Sequence, residues 1–179
     1  MTTTIEIADS DPRWPDLYEA EKHVILSVIN GLIGPVEHVG STSVPGLGAK
    51  PIIDIMVAIP DIEDAHRTYR PLESIGYHYL PEYEMYIPER RFFRKINDLG
   101  QITHHLHMVE ETTDFWDDHI LFREYLKTHP TTARNYEAMK RDLAALHADR
   151  TAFTDAKTPF IQGVLVRARN WREAGYRDP

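Results

Sequence analysis

The chain has 179 residues, 42% of them hydrophobic, with 20 Lys+Arg against 28 Asp+Glu, a net charge of −8 and no cysteine. This length suits one globular domain with a real core, and the acidic balance argues against coating duplex nucleic acid, where counterion release rewards basic surfaces. Disulfides, thiolate metal sites and cysteine nucleophiles are excluded. No secretory signal opens the chain and no apolar run is long enough to span a bilayer, so a cytoplasmic protein without a membrane partner is expected.

Thr4-Ile5-Glu6-Ile7 alternates, as a short edge strand does. Asp11-Pro12 reads as a helix cap followed by proline at the first helical position, and Trp14, Leu17, Val24 and Val28 recur at helical spacing, giving a helix to Ile29. Gly31 and Gly34-Pro35 stop it. Val36–Val39 is a strand, followed by a Gly/Ser/Pro loop to Pro51. Ile52–Ile59 carries the strongest strand signal. Ile62–Ile75 is helical in composition and ends at Gly76. Tyr77–Leu80, Arg91–Ile96 and Thr103–Val109 are further strands, with Pro81–Arg90 turn-like. Beyond Glu111 helical spacing takes over. Phe115, Ile120, Phe122 and Leu126 share one region closed by His129-Pro130. Tyr136, Met139, Leu143 and Leu146 form an amphipathic stripe, and Phe160, Val164, Ala168 and Trp171 trace the last helix. The expected class is α+β, one domain over 1–179, with a mixed sheet over 1–111 and a helical part over 112–179.

Four features carry chemistry. Gly40-Ser41-Thr42-Ser43 follows a strand directly. Small residues there let backbone N–H groups and hydroxyls approach a phosphate, and Lys50 adds a charge nearby. GSTSVPGLG is equally readable as a tight connection, and it lacks the spacing of a Walker loop. Asp54 interrupts an apolar strand, where an unpaired carboxylate costs several kcal/mol. A metal or a base explains it, as does a structural hydrogen bond. In His104-His105-Leu106-His107, strand alternation puts His105 and His107 on one face, able to chelate a metal or meet a phosphate, or simply to face solvent. Arg90-Arg91-Phe92-Phe93-Arg94-Lys95 is the densest basic run. Arg91 and Phe93 share one side and Arg90, Phe92 and Arg94 the other, with Arg91 or Arg94 suited to grip a triphosphate or carboxylate.

HVGSTSVPGLGAKPIIDIMV, with IPERRFFRK, HHLHMVE, FREYL, NYEAMKRDLA and DAKTPFIQ, resembles the GrpB (UPF0157-type) family over Trp14–Trp171. That family is similar to nucleotidyltransferases of polymerase-β-like fold. The resemblance implies a Gly-Ser turn at Gly40-Ser41 for a nucleoside triphosphate and a strand carrying two carboxylates separated by one residue. Asp54 is the first of these. The second position is Met56, which cannot ligate a hard cation, and where a later strand usually brings a third carboxylate this chain has His105 and His107. A modified divalent-metal centre (Mg, Mn or Zn) of Asp54, His105 and His107 is therefore expected, with Asp54 catalytic. Gly40, Ser41, Ser43, Lys50 and Arg91 would hold the nucleotide. The resemblance adds Lys140 and Lys157 on the late helices. The implied activity is nucleotidyl transfer from an NTP to a small-molecule or protein acceptor. A non-catalytic nucleotide-binding or accessory module, and a different metal enzyme such as a hydrolase on the same fold, are the alternatives.

Overall fold

A computed structural model of the chain describes residues 5–146 and 149–175. Thr4, the first residue of the expected edge strand, lies outside them. Ile5–Ile7 form no strand, and Ala8 alone makes an isolated bridge to Ala49. Ile5 and Ile7 are held instead by burial against Phe153.

Helix α1 runs Trp14–Ile29 with Pro15, not Pro12, in its first turn. Asp11 still organises the entry: its carboxylate accepts from the Arg13 N–H at 2.9 Å, and its carbonyl from Trp14 at 3.1 Å. The buried stripe is Trp14, Tyr18, Ile25 and Ile29, while Leu17 and Val24 are exposed. Adjacent stripes of one helix share the same periodicity, so spacing cannot choose between them. The partner surface does.

Five strands follow: β1 (Val36–Val39), β2 (Ile53–Ala58), β3 (Tyr77–Tyr79), β4 (Arg91–Ile96) and β5 (Ile102–Val109), with α2 (His66–Ser74) between β2 and β3. They form one sheet in the order β1-β2-β5-β4-β3. The β2–β5 pair is parallel and the other three are antiparallel. One face is apolar. Ile53, Ile55 and Val57 of β2, Phe93 of β4, and Leu106 and Met108 of β5 pack against α1 and α2 in the main core.

The opposite face is divided. Met56, Ala58 and Val109 pack with Val39 beneath Trp116 of α3 (Asp114–Thr128), and the rest carries the polar residues described below. Thr113 caps α3 by accepting from the Trp116 N–H. Helix α4 (Pro130–Leu146) starts on the proline that closes α3, and α5 (Arg150–Glu173) is capped by Asp149 and continues through Pro159. These helices share a core of Leu121, Tyr125, Leu126, Tyr136, Val164 and Ala168, into which Val44 and Leu47 of the Gly/Ser/Pro loop insert. The loop is thus anchored on one side by the sheet and on the other by the helices. Leu146, expected on the buried stripe of α4, is exposed, and Lys140 takes a buried place beside Tyr136. Among the described residues no helix is long and apolar enough to cross a membrane.

Candidate nucleotide and metal site

The site grows from strand register. Asp54 of β2 stands opposite His105 of β5, and Met56 opposite His107. Alternation therefore turns Asp54, His105 and His107 to the same face. His105 Nδ1–H donates to Asp54 Oδ1 at 3.0 Å, and His107 Nε2 lies 3.9 Å from the same oxygen. Burial alone would raise the Asp54 pKa, but the hydrogen bond from His105 and the nearby His107 ring outweigh it and hold the carboxyl well below the usual range. Burial pushes His107 down to about 4, against the pull of Asp54.

Gly40 sets how close the turn comes. Its φ is +71°, and a Cβ there would lie 2.4 Å from Asp54 Oδ2. Only glycine lets the backbone sit on the carboxylate. Ser41–Ser43 then makes one turn of 3₁₀-helix. The Ser43 hydroxyl donates to Gly40 O at 2.6 Å, closing the turn, while Ser41 Oγ accepts from Lys140 Nζ at 2.9 Å. Lys140 also donates to Gly48 O. Desolvation, reinforced by the charge of Lys157, lowers the Lys140 pKa to about 7. Lys157 is lowered by its own burial, opposed by attraction to Asp54. Lys50 Nζ stands 4.2 Å from the centre of the Phe153 ring, which Lys157 also approaches, at 4.9 Å.

Arg91 is the site residue that the structure sets apart. The strand turns it to the far face, where it pairs with Glu84 at 3.5 Å and Glu63 at 3.8 Å. Alternation gives the histidine face to Arg90 and Arg94 instead: Phe92 and Arg94 register with His107 and His105. Arg90 Nη1 donates to His107 Nδ1 at 3.3 Å. That contact places the neutral ring's proton on Nε2, facing Asp54. Sequence reasoning also passed over His119, whose ring centre is 6.2 Å from that of His107, and His38, whose Nε2 meets Thr42 Oγ1 at 2.9 Å. Each is one histidine in a common pattern, with no spacing signal to mark it.

Metal fit can be judged from the donors. One ligand atom each from Asp54, His105 and His107 lie within 4.8 Å of one another. One carboxylate oxygen and two imidazole nitrogens suit Mn2+ or Zn2+ better than Mg2+, which prefers oxygen. The position of the missing second carboxylate, Met56, is fully buried in apolar packing.

The sequence matches the GrpB protein family over residues 4–167. The chain belongs to that family. It is 40% identical over 168 residues to a UPF0157 protein of Pseudomonas aeruginosa, covering 92% of this chain and 67% of that one. The crystal structure of the conserved protein GrpB from Enterococcus faecalis aligns with a TM-score of 0.82 at 33% identity, covering 93% of this chain and 99% of that one. Some relatives are longer. This GrpB-family chain spans 48% of UPF0157 protein YqkA of Bacillus subtilis, at 33% identity over 94% of its own length. It spans 47% of a dephospho-CoA kinase of Mycolicibacterium paratuberculosis, at 25% identity over 95%. The Cid1 poly(U) polymerase bound to Mg 3′-dATP matches with a TM-score of 0.50 at 13% identity, over 75% of this chain and 41% of that one. That likeness is one of fold: this GrpB-family chain shares the arrangement of its sheet and helices with part of that polymerase.

Proposed function

We propose that this chain is a metal-dependent nucleotidyltransferase-like protein. It binds a nucleoside triphosphate at the Gly40-Ser41 turn and transfers its nucleotidyl group to a small-molecule or protein acceptor. One observation carries the reading: the glycine turn rests on Asp54, while Lys140 reaches the same turn through Ser41 at 2.9 Å. A phosphate tail on Ser41, Lys140 and Lys157 would lie beside Asp54, a carboxylate able to share a metal with it. Asp54, His105 and His107 would hold the divalent ion, which when bound neutralises phosphate charge and polarises the reacting phosphoryl group. The chain's own groups orient the tail. In the transfer, an acceptor oxygen or nitrogen bonds to the α-phosphorus. The bond to the bridging oxygen breaks, pyrophosphate leaves with the electron pair, and the acceptor's proton passes to water.

Met56 favours a second reading, nucleotide binding without chemistry, because the apolar side chain stands where two-metal catalysis places a carboxylate. The span shared with a longer dephospho-CoA kinase also suits an accessory module. One experiment separates these. Thermal unfolding is followed with each NTP and with Mg2+, Mn2+ or Zn2+. A nucleotide at a hundred times its Kd adds about 2.7 kcal/mol. Stabilisation that needs the metal and disappears in Asp54→Ala supports the site, and pyrophosphate release with candidate acceptors then distinguishes enzyme from binder. No stabilisation by any NTP and metal pair sinks both readings.

A further inference from the structure

Guanidinium groups drawn out of water in this chain are matched to carboxylates. Arg91 and Arg123, each with a side chain only 13% exposed, meet Glu84 and Glu37, and the more exposed Arg141, Arg169 and Arg172 also meet an Asp or Glu. Arg90 and Arg94 differ. Among the described residues neither has a carboxylate at ion-pair distance, and the Nε of each is buried without a hydrogen-bond partner. Their recorded polar contacts are neutral: Arg90 Nη1 to His107 at 3.3 Å, and Arg94 Nη2 to the Tyr83 hydroxyl at 3.4 Å. Arg90 is further wrapped by aromatic rings, its guanidinium carbon 4.9 Å from the centre of Phe92 and 5.5 Å from that of Phe115. Buried charges are paired unless the partner arrives from outside. A chain with 28 acidic residues against 20 basic ones has carboxylates to spare, so the lack of one at ion-pair distance from either guanidinium among the described residues points to an external anion.

Position says which part of a reaction that anion belongs to. Across the polar face the Gly40 turn and Lys140 flank Asp54 on the β1 side. His105 and His107 come next, and Arg90, just before β4, and Arg94 of β4 flank the histidines on the other side. A triphosphate tail on the Gly40 flank sends pyrophosphate off on that flank. An attacking group approaches roughly in line from the opposite one, where Arg90 and Arg94 stand.

We propose that Arg90 and Arg94 form a second anion site, distinct from the phosphate turn, that receives a carboxylate or phosphoryl group of the acceptor. This rests on the transfer reading for its role, and on the unpaired guanidinium groups for its existence. The guanidinium fork matches both anions in a way that a lysine point charge does not, and the rings of Phe92 and Phe115 cover part of Arg90.

The test is calorimetric titration of the full chain with succinate and with methyl phosphate, each in the presence and absence of ATP and Mn2+. The wild type is expected to bind at least one of the two with ATP already bound, and the one that binds identifies the acceptor's group as carboxylate or phosphoryl. Arg90→Gln and Arg94→Gln should each weaken that anion about tenfold or more, as loss of a charge-assisted hydrogen bond does, with ATP affinity little changed. Arg90→Lys and Arg94→Lys keep the charge, cover the case in which a Gln variant fails to fold, and should also weaken the anion because the fork is lost. Binding of neither probe overturns the proposal, as does anion affinity that survives all four substitutions. So does ATP affinity falling in step with the anion's, which would put the arginines on the nucleotide tail. Arginine-dependent anion binding in a chain that binds no nucleotide supports the second site while removing the transfer reading.

Discussion

Gly40 shows how one residue fixes the site. Its backbone, at φ 71° and ψ −172°, occupies a region essentially reserved for glycine, and a side chain there would run into Asp54. Gly40→Ala should cost about 2–4 kcal/mol from strain plus displacement and should abolish any metal-dependent stabilisation by nucleotide. Urea unfolding with and without ATP and Mn2+ measures both, and a variant as stable as its parent would show that the turn can relax. Lys140 gives a pH signature. Its amine is held at about 7 in the folded chain against 10.5 for an ordinary lysine. Between those values the unfolded chain binds a proton that the folded chain does not, so stability rises with pH from about 7 towards 10. Below 7 both states are protonated, and the cost of the buried charge is felt in full. Lys140→Met should flatten that rise, worth on the order of 2–4 kcal/mol, in unfolding curves taken across the range. His38 acts in the other window. Burial lowers it to about 4, so the stability of its neutral form is lost as pH falls from about 6.5 towards 4.

At the scale of elements, the strands were legible and the helix faces were not. β4 begins and ends where the basic run predicts, and β5 differs by one residue at its start. Period-two alternation in β5 leaves only one way to put Leu106 and Met108 in the core, and that choice also fixes His105 and His107. Helical stripes are less decisive. Leu17 and Val24 mark one plausible face of α1, yet Tyr18 and Ile25 are the buried pair. What docks a helix is often polar and invisible to periodicity. Arg123 of α3 donates to Glu37 at 2.7 Å and to His38 O at 2.8 Å, and pairs with buried Glu124 at 2.6 Å, tying α3 to β1. Arg123→Ala leaves Glu124 with Lys127 as its remaining recorded ion-pair partner and should cost about 2–4 kcal/mol, read as a lower unfolding midpoint at unchanged m-value.

For the whole molecule, the helices matter because they bring cations to a sheet. Lys140 lies 99 residues from the serine it touches, and Lys157 comes from the following helix to within electrostatic reach of Asp54. Lys157→Ala should weaken nucleotide binding about tenfold, one lost charge-assisted contact, while leaving thermal stability level or raised because a desolvated ammonium is removed. Calorimetry together with a melting curve checks both halves. The sequence by itself determined the elements from Trp14 onward, the Gly40-Ser41 turn, the oddity of Asp54 and the shared face of His105 and His107, because each follows from local spacing or from a charge in an apolar run. Only the tertiary structure decided that Asp54 meets those histidines, that Lys140 caps the turn, and that Arg90 and Arg94 rather than Arg91 share the site's face. Those facts depend on strand order, register and helix docking, which join residues far apart in the chain and leave no period to read.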